Sequence, residues 1–313
     1  MPKLNRKRTI LIKAESSYAT DPTPTGAANA VLVTDLELTP LESDEVEREV
    51  LRATLGNFDK LLANQRASIS FTVELAGNSD GAGTEPRFGP ALLASGMGVA
   101  TVSNTSNTYT PISSSAPPSC TIWCNYDGVL HKLVGCRGSW ALEASVSEVP
   151  KITFTMTGLY AAPTDTALPT CTYKAKDPVI FKKDNVTAFE IFGYAGACSN
   201  WSLDMANEIV YRELVGGGSS KEVLLTNRAP AGSLTVEAVA LSAHNFFTDA
   251  TGSSTGTNKF IHGTASGNKV EVSVPYSDLG APNYSESDGI TMLELPFTAL
   301  PSSGNDEISL KFF

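Results

Sequence analysis

Five cysteines, three histidines and a dense run of carboxylates are the residues of this chain whose types could do chemistry. Cys120 and Cys124 stand four apart, Cys136 follows, and His131 lies between them. Thiolates and imidazole at short spacings are the raw material of a tetrahedral zinc site. Such sites need paired short spacings and a fourth ligand, and here the intervening NYDGVLHKLVG reads as a hairpin, so buried strand thiols are the simpler expectation. Cys171 and Cys198 make the count odd, which fits a reducing compartment. His131, His244 and His262 form no His-Glu-x-x-His pattern, and neither a Gly-x-Ser-x-Gly elbow nor a Gly-Lys-Ser/Thr phosphate loop occurs. The carboxylates crowd into 42–49 (ESDEVERE), interleaved with Val46 and Arg48. An acid pair that cleaves a bond must converge in a cleft, and a charge run supplies none. The expectation is a protein that is not an enzyme and holds no cofactor and no metal.

Bulk properties point to a folded, acidic chain. Its 313 residues are 42% hydrophobic and 18% charged, enough to bury a core in about two domains. The net charge of -10 disfavours a grip on nucleic-acid phosphates, which draws on Lys and Arg, but suits a surface that DNA slides past. Lys3, Arg6, Lys7 and Arg8 precede only a short apolar stretch, 9–12, too brief for a secretory signal. This basic start is expected to be a flexible or partner-docking arm. No window approaches the length of a membrane helix, so no membrane partner is expected.

The elements that would position these residues are mostly strands. In 68–75 (SISFTVEL) apolar and polar residues alternate, the mark of a strand with one buried face. The same period recurs in 152–157, 270–274 and 308–312, and more loosely in 140–146. Tyr126-Asp127-Gly128 reads as a tight hairpin, and Ser266-Gly267-Asn268 as another turn. The stretch 77–84 (GNSDGAGT) reads as a flexible connector, and Gly216, Gly217 and Gly218 with two serines as a mobile loop tip. Helices are predicted at 89–96, with Pro90 in the first turn and Gly96 as a stop, and at 241–250, capped by Ser242.

These elements come in the same order twice. A strand leads into an acidic excursion carrying Arg48-Glu49 in one copy and Arg212-Glu213 in the other. Asn-Gln-Arg-Ala (64–67) or Asn-Arg-Ala (227–229) follows, then a strand of Ser-x-Thr-Val-Glu type, a short helix and a closing two-strand unit. The chain therefore reads as a tandem duplication. The predicted domains are 1–170, with the N-terminal arm and long acidic loop, and 171–313, meeting at a proline-bearing linker over 163–178.

Nearly end to end, the sequence resembles the tail tube proteins of long-tailed bacteriophages. The resemblance is carried by KAESSYATDPTPTGAANAVLVTDLELTPLESDEVERE, VELAGNSDGAGTEPRFGPALLASG, YDGVLHKLVGCRGSW, PKITFTMTGLYAAPTD and LDMANEIVYRELVG. It implies a mainly β fold of two tandem β-sandwich or barrel domains, each with a short flanking helix. It also implies self-assembly into stacked rings around a channel for the tape measure protein and then double-stranded DNA. If each chain supplies two domains, a trimer gives a pseudo-hexameric ring; a hexamer is the alternative. Tail terminator and baseplate proteins are further implied partners, with the virion tail as location and the host cytoplasm as the place of assembly.

Site residues follow from that reading. The ring-stacking and assembly loops are expected to use Glu42, Asp44, Glu45, Glu47, Arg48, Glu49 and Arg52 in the first half, and Glu208, Arg212 and Glu213 in the second. Alternation makes Glu74, Glu143, Glu237 and Glu271 candidates for an acidic channel wall that repels phosphate. Competing roles are a tail terminator or baseplate ring of the same fold, or a surface β-domain adhesin.

Overall fold

The computed structural model describes residues 2–216, 220–252 and 254–313; Gly217 and Gly218 of the expected loop tip lie outside them. Strands dominate, and the helices are short. The first half holds β1 (Arg8–Ala14), α1 (Gly26–Asn29), β2 (Ala30–Val31), β3 (Asp35–Glu47), β4 (Lys60–Glu74) and α2 (Gly89–Ala94). It continues with β5 (Met97–Val102), β6 (Ser106–Pro111), β7 (Cys120–Tyr126), β8 (Val129–Ser145), β9 (Lys151–Tyr160) and β10 (Thr164–Asp165). The second half holds β11 (Val186–Ile191), β12 (Cys198–Asp204), β13 (Asn207–Glu213), β14 (Lys221–Arg228), β15 (Ala231–Glu237) and α3 (Phe246–Thr251). It closes with β16 (Thr255–His262), β17 (Val270–Leu279), β18 (Asn283–Ser287), β19 (Ile290–Ala299) and β20 (Ser309–Phe312). The predicted junction at 170/171 falls in a stretch without named strands between β10 and β11.

The pairings of the two halves correspond strand by strand. In the first, β3 pairs with β4, β4 with β9, β9 with β8, β8 with β7 and β7 with β1. In the second, β12 pairs with β15, β15 with β19, β19 with β18 and the end of β17, β17 with β16 and β16 with β11. Even the irregularities match. β8 carries an extra residue between Leu133 and Cys136 opposite Ile122 and Cys120, and β17 carries one between Val274 and Ser277 opposite Asn258 and Gly256. A bulge of this kind bends the strand and lets it pass from one layer to the other. Both β8 and β17 do so, serving two partners in succession.

The core lies between the layers and runs through both halves. Phe71, Phe154, Trp140, Trp201, Leu234 and Leu295 line one wall, and Ile10, Ile122, Phe260 and Val272 the other, all essentially inaccessible. Side chains two apart on a strand share a face, so this wall fixes the opposite face of the same strands as polar. The two-residue turns are built as their sequences demand. Asp127 (φ 45°) and Gly128 (φ 99°) join β7 to β8, and Asp288 (φ 52°) and Gly289 (φ 79°) join β18 to β19. Left-handed residues at both central positions give the turn whose twist matches the strands.

Three expectations need correction. The helix expected over 241–250 starts later, because Asn245 rather than Ser242 caps it: the Asn245 side chain accepts from the Thr248 N–H at 3.2 Å. The basic N-terminus is not a free arm. Lys3 Nζ donates to the Asp127 carbonyl (2.7 Å), the Leu4 N–H donates to the Asp127 carboxylate (2.9 Å), and 8–14 is strand β1. The 77–84 connector is pinned as well. Asn78 is buried and donates to the Glu85 carbonyl, Gly77 N–H donates to Asn268 Oδ1 at 3.0 Å, and Lys174 pairs with Asp80 at 2.7 Å. Gly77 also approaches the Gly267 carbonyl so closely that no side chain would fit. What reads as linker composition is a seam between the halves.

Candidate functional site

The groups first singled out for chemistry are mostly withdrawn from solvent. Cys120, Cys124 and Cys136 are buried strand thiols, and burial pushes the Cys124 and Cys198 thiols up to about 12. A thiol held that high is a poor nucleophile. Burial also lowers His131 and His262 below the usual histidine range. His262 Nε2 contacts the Val179 carbonyl at 3.0 Å, and His244 Nε2 lies 2.7 Å from Asp249. Among the described residues no cluster of His, Cys, Asp and Glu could hold a metal ion.

The arrangement that stands out is a surface. β3, β4, β9, β8, β12, β15, β19 and β18 pair in that order, every pair antiparallel, into a single sheet that crosses from one half to the other. The face turned from the core carries Ser, Thr and carboxylates. Three of the expected wall residues lie on it: Glu74 on β4, Glu143 on β8 and Glu237 on β15. Glu37 on β3 and Glu294 on β19 share the face by register and were missed by the sequence reading. Lys151 on β9 sits opposite Glu74 on one side and Glu143 on the other. Glu271 is elsewhere, on the part of β17 paired with β16 and β20, where Lys259 Nζ approaches it to 3.3 Å.

Each half sends a hairpin arm out of this sheet. The first is the far end of β3–β4. Glu42 binds Arg66 (3.1 Å), Asp44 is 3.7 Å from Arg66, and Lys60 bridges Glu45 (2.5 Å) and Glu47 (3.4 Å). Arg48 pairs with Asp59 at 2.9 Å, while Glu49 and Arg52 lie in the loop beyond β3, Arg52 stacked over Phe58. This arm is exposed, and so are its apolar residues Leu61 (54%) and Leu62 (48%). The second arm is β13–β14, which carries Glu208, Arg212 and Glu213. Glu208 is exposed opposite Asn227, and Glu213 pairs with Lys221 at 2.9 Å.

Unlike the first arm, the second is docked. It lies on the first half, where Arg137, only 2% exposed, donates to Glu222 (3.1 Å), to the Val223 carbonyl (2.6 Å) and to the Pro117 carbonyl (2.8 Å). Glu222 gives its other oxygen to Arg212 at 3.0 Å. Tyr18 accepts from the Val223 N–H at 2.7 Å, and Asn207 donates to the Ser95 and Gly138 carbonyls. The docking flanks the pairing of β12 with β8, which sets Leu203 opposite Leu142 and Trp201 opposite Ala144. This strand junction joins the halves. The ends of the sheet are left open: among the described residues β3 pairs only with β4, and β18 only with β19.

A β-rich chain with a polar carboxylate face and sheet edges left unpaired among the described residues has the makings of a polymer subunit. Comparison with curated proteins gives no match. A family model described as phage tail tube protein matches residues 5–299, nearly the whole chain, and the chain therefore belongs to the phage tail tube protein family.

Proposed function

We propose that this protein is a tail tube subunit built by tandem duplication, three copies of which close into a ring of six similar halves. Rings stack into a tube in the virion tail; the channel holds the tape measure protein and later passes double-stranded DNA. The observation that carries this reading is the β8–β12 junction together with the two open edges. Register aligns β18 with the end of β8, since Tyr284 lies opposite Leu293 as Leu142 lies opposite Ile152. It aligns β3 with β12 in the same way, Leu36 opposite Phe71 and Trp201 opposite Leu234. β18 of one copy can therefore receive β3 of the next as β8 receives β12, with Tyr284 set against Leu38. A head-to-tail contact of this kind repeats until it closes, and closure leaves no strand edge exposed. Electron microscopy of the purified chain should show stacked rings with threefold symmetry and a sixfold outline. Monomers that persist at high concentration would overturn the proposal; rings of six chains would keep the edge contact and replace the trimer by a hexamer.

The same reading turns the polar face of the long sheet toward the channel, because the core occupies its other side. Glu37, Glu74, Glu143, Glu237 and Glu294 outnumber the cations that share the face by register, which are Lys151, Arg66 (paired with Glu42) and Arg137 (covered by the second arm), and would make a wall that repels phosphate. Replacing Glu74, Glu143, Glu237 and Glu294 together by Gln should leave tubes intact but slow DNA ejection, most at low salt where screening is weakest. Ejection at the parent rate through intact tubes would remove the channel role from this face.

A further inference from the structure

From the docked arm we infer that the exposed β3–β4 arm seats laterally on the second half of the neighbouring copy in the same ring, with Lys60 meeting Asp278 of that copy. The inference rests on the ring reading above and specifies its contact. The template is internal. On the arms, the ladder pair Glu42–Arg66 corresponds to Asn207–Arg228, and counting outward through the matching irregularities sets Val46–Leu61 against Tyr211–Val223 and Glu47–Lys60 against Arg212–Glu222. On the receiving halves, Arg137 lies opposite Thr157 of β9 and Asp278 opposite Thr298 of β19, at the same step past the matching bulge.

The correspondence reverses charge on both sides at once. In the docked arm Glu222 bridges its own Arg212 and the receiving Arg137. In the exposed arm Lys60 bridges its own Glu47, and the receiving position is Asp278. Asp278 is half-buried and makes no ion pair or side-chain hydrogen bond with any described residue. The lysine therefore finds a carboxylate where the glutamate finds a guanidinium. Leu61 takes the place of Val223, which is fully buried in the docked arm. Burial of Leu61 in that place would supply most of the attraction, while the charge pair sets register and rejects mismatched contacts. Opposite polarity at the two contacts also keeps each arm from binding the other's site, so the inner contact and the contact between copies cannot be exchanged.

The test is a charge reversal scored by ring formation. Asp278→Lys places like charges together and should raise the concentration needed for assembly about tenfold or more. Adding Lys60→Glu should bring it back toward the parent. Because Lys60→Glu also faces Glu45 and Glu47, a second measurement uses Lys60→Cys with Asp278→Cys and a short bis-maleimide on assembled material. A ladder of covalently joined whole chains, absent from either single variant, supports the contact. Rings formed by Asp278→Lys as readily as by the parent, or no ladder from the double cysteine variant, would overturn it while leaving the ring reading intact. A parent chain that never assembles would overturn both.

Discussion

A Glu286→Pro subunit is expected to stay folded and monomeric under conditions in which the parent chain forms rings. The two-residue turn at Asp288-Gly289 makes Ser287 and Ile290 the closing pair of the β18–β19 hairpin. In an antiparallel hairpin of that kind the closing pair exchanges both hydrogen bonds and bonded positions then alternate. Ser285 and Ser287 therefore bond to β19, while Tyr284 and Glu286 point their N–H and C=O groups at the open edge. Proline at position 286 removes an outward donor and puts a ring where a neighbour's β3 would lie, and it breaks no bond within the hairpin ladder. Its cost to the monomer should not exceed about 1 kcal/mol, the worth of the exposed bond from the Gly289 N–H to the Glu286 carboxylate. Glu286→Ala loses that bond and keeps the backbone donor, so it should still form rings. Sedimentation with thermal melting reads both properties; rings from the proline variant would show that this edge is not the joint.

The alternation of apolar and polar residues in 68–75 and 152–157 carried the long sheet, because a strand with one wet face must write its period into the sequence. The order of elements read twice in the sequence has its counterpart in the order of strand pairings in the two halves. Glu74, Glu143 and Glu237 were found by the same alternation, and it placed them on one polar face. Glu271 obeys the same local period but lies on the part of β17 that belongs to the other layer. Local period reports which side of a strand is wet, not which sheet the strand has joined.

The seam residues were hidden for a different reason. The stretch 77–84 has loop composition, and only contacts from distant residues such as Asn268 and Lys174 make it rigid. The edges were legible only after pairing was known: β18 (NYSES) is short and polar and shows no alternation worth the name. Arg137 did leave a signal in GCRGSW, a charge set among small and apolar residues in the middle of β8. Charged residues are rarely fully buried unless paired, so that placement called for a distant carboxylate. Naming Glu222 as the partner required the fold.

Arg137→Ala should destabilise the subunit by about 3–5 kcal/mol, the range for removing one member of a buried ion pair. The whole stability of a domain is about 5–15 kcal/mol, so this is a large share of it. The loss has identifiable parts. Glu222, 16% exposed, keeps only Arg212, while the Val223 and Pro117 carbonyls lose their donors. Tyr18 loses the guanidinium that stacks 4.8 Å from its ring centre. Arg137→Lys keeps a charge but not the fork that reaches the Glu222 carboxylate and both carbonyls, so it should recover only part of the loss. Ring formation would mask these differences, since assembly stabilises whatever it binds. Denaturant titrations are therefore made in the Glu286→Pro background, where only the intrachain contact is read. A cost below about 1 kcal/mol for Arg137→Ala would mean that the second arm is held by its apolar contacts alone, and that the charge pair joining the halves contributes register without strength.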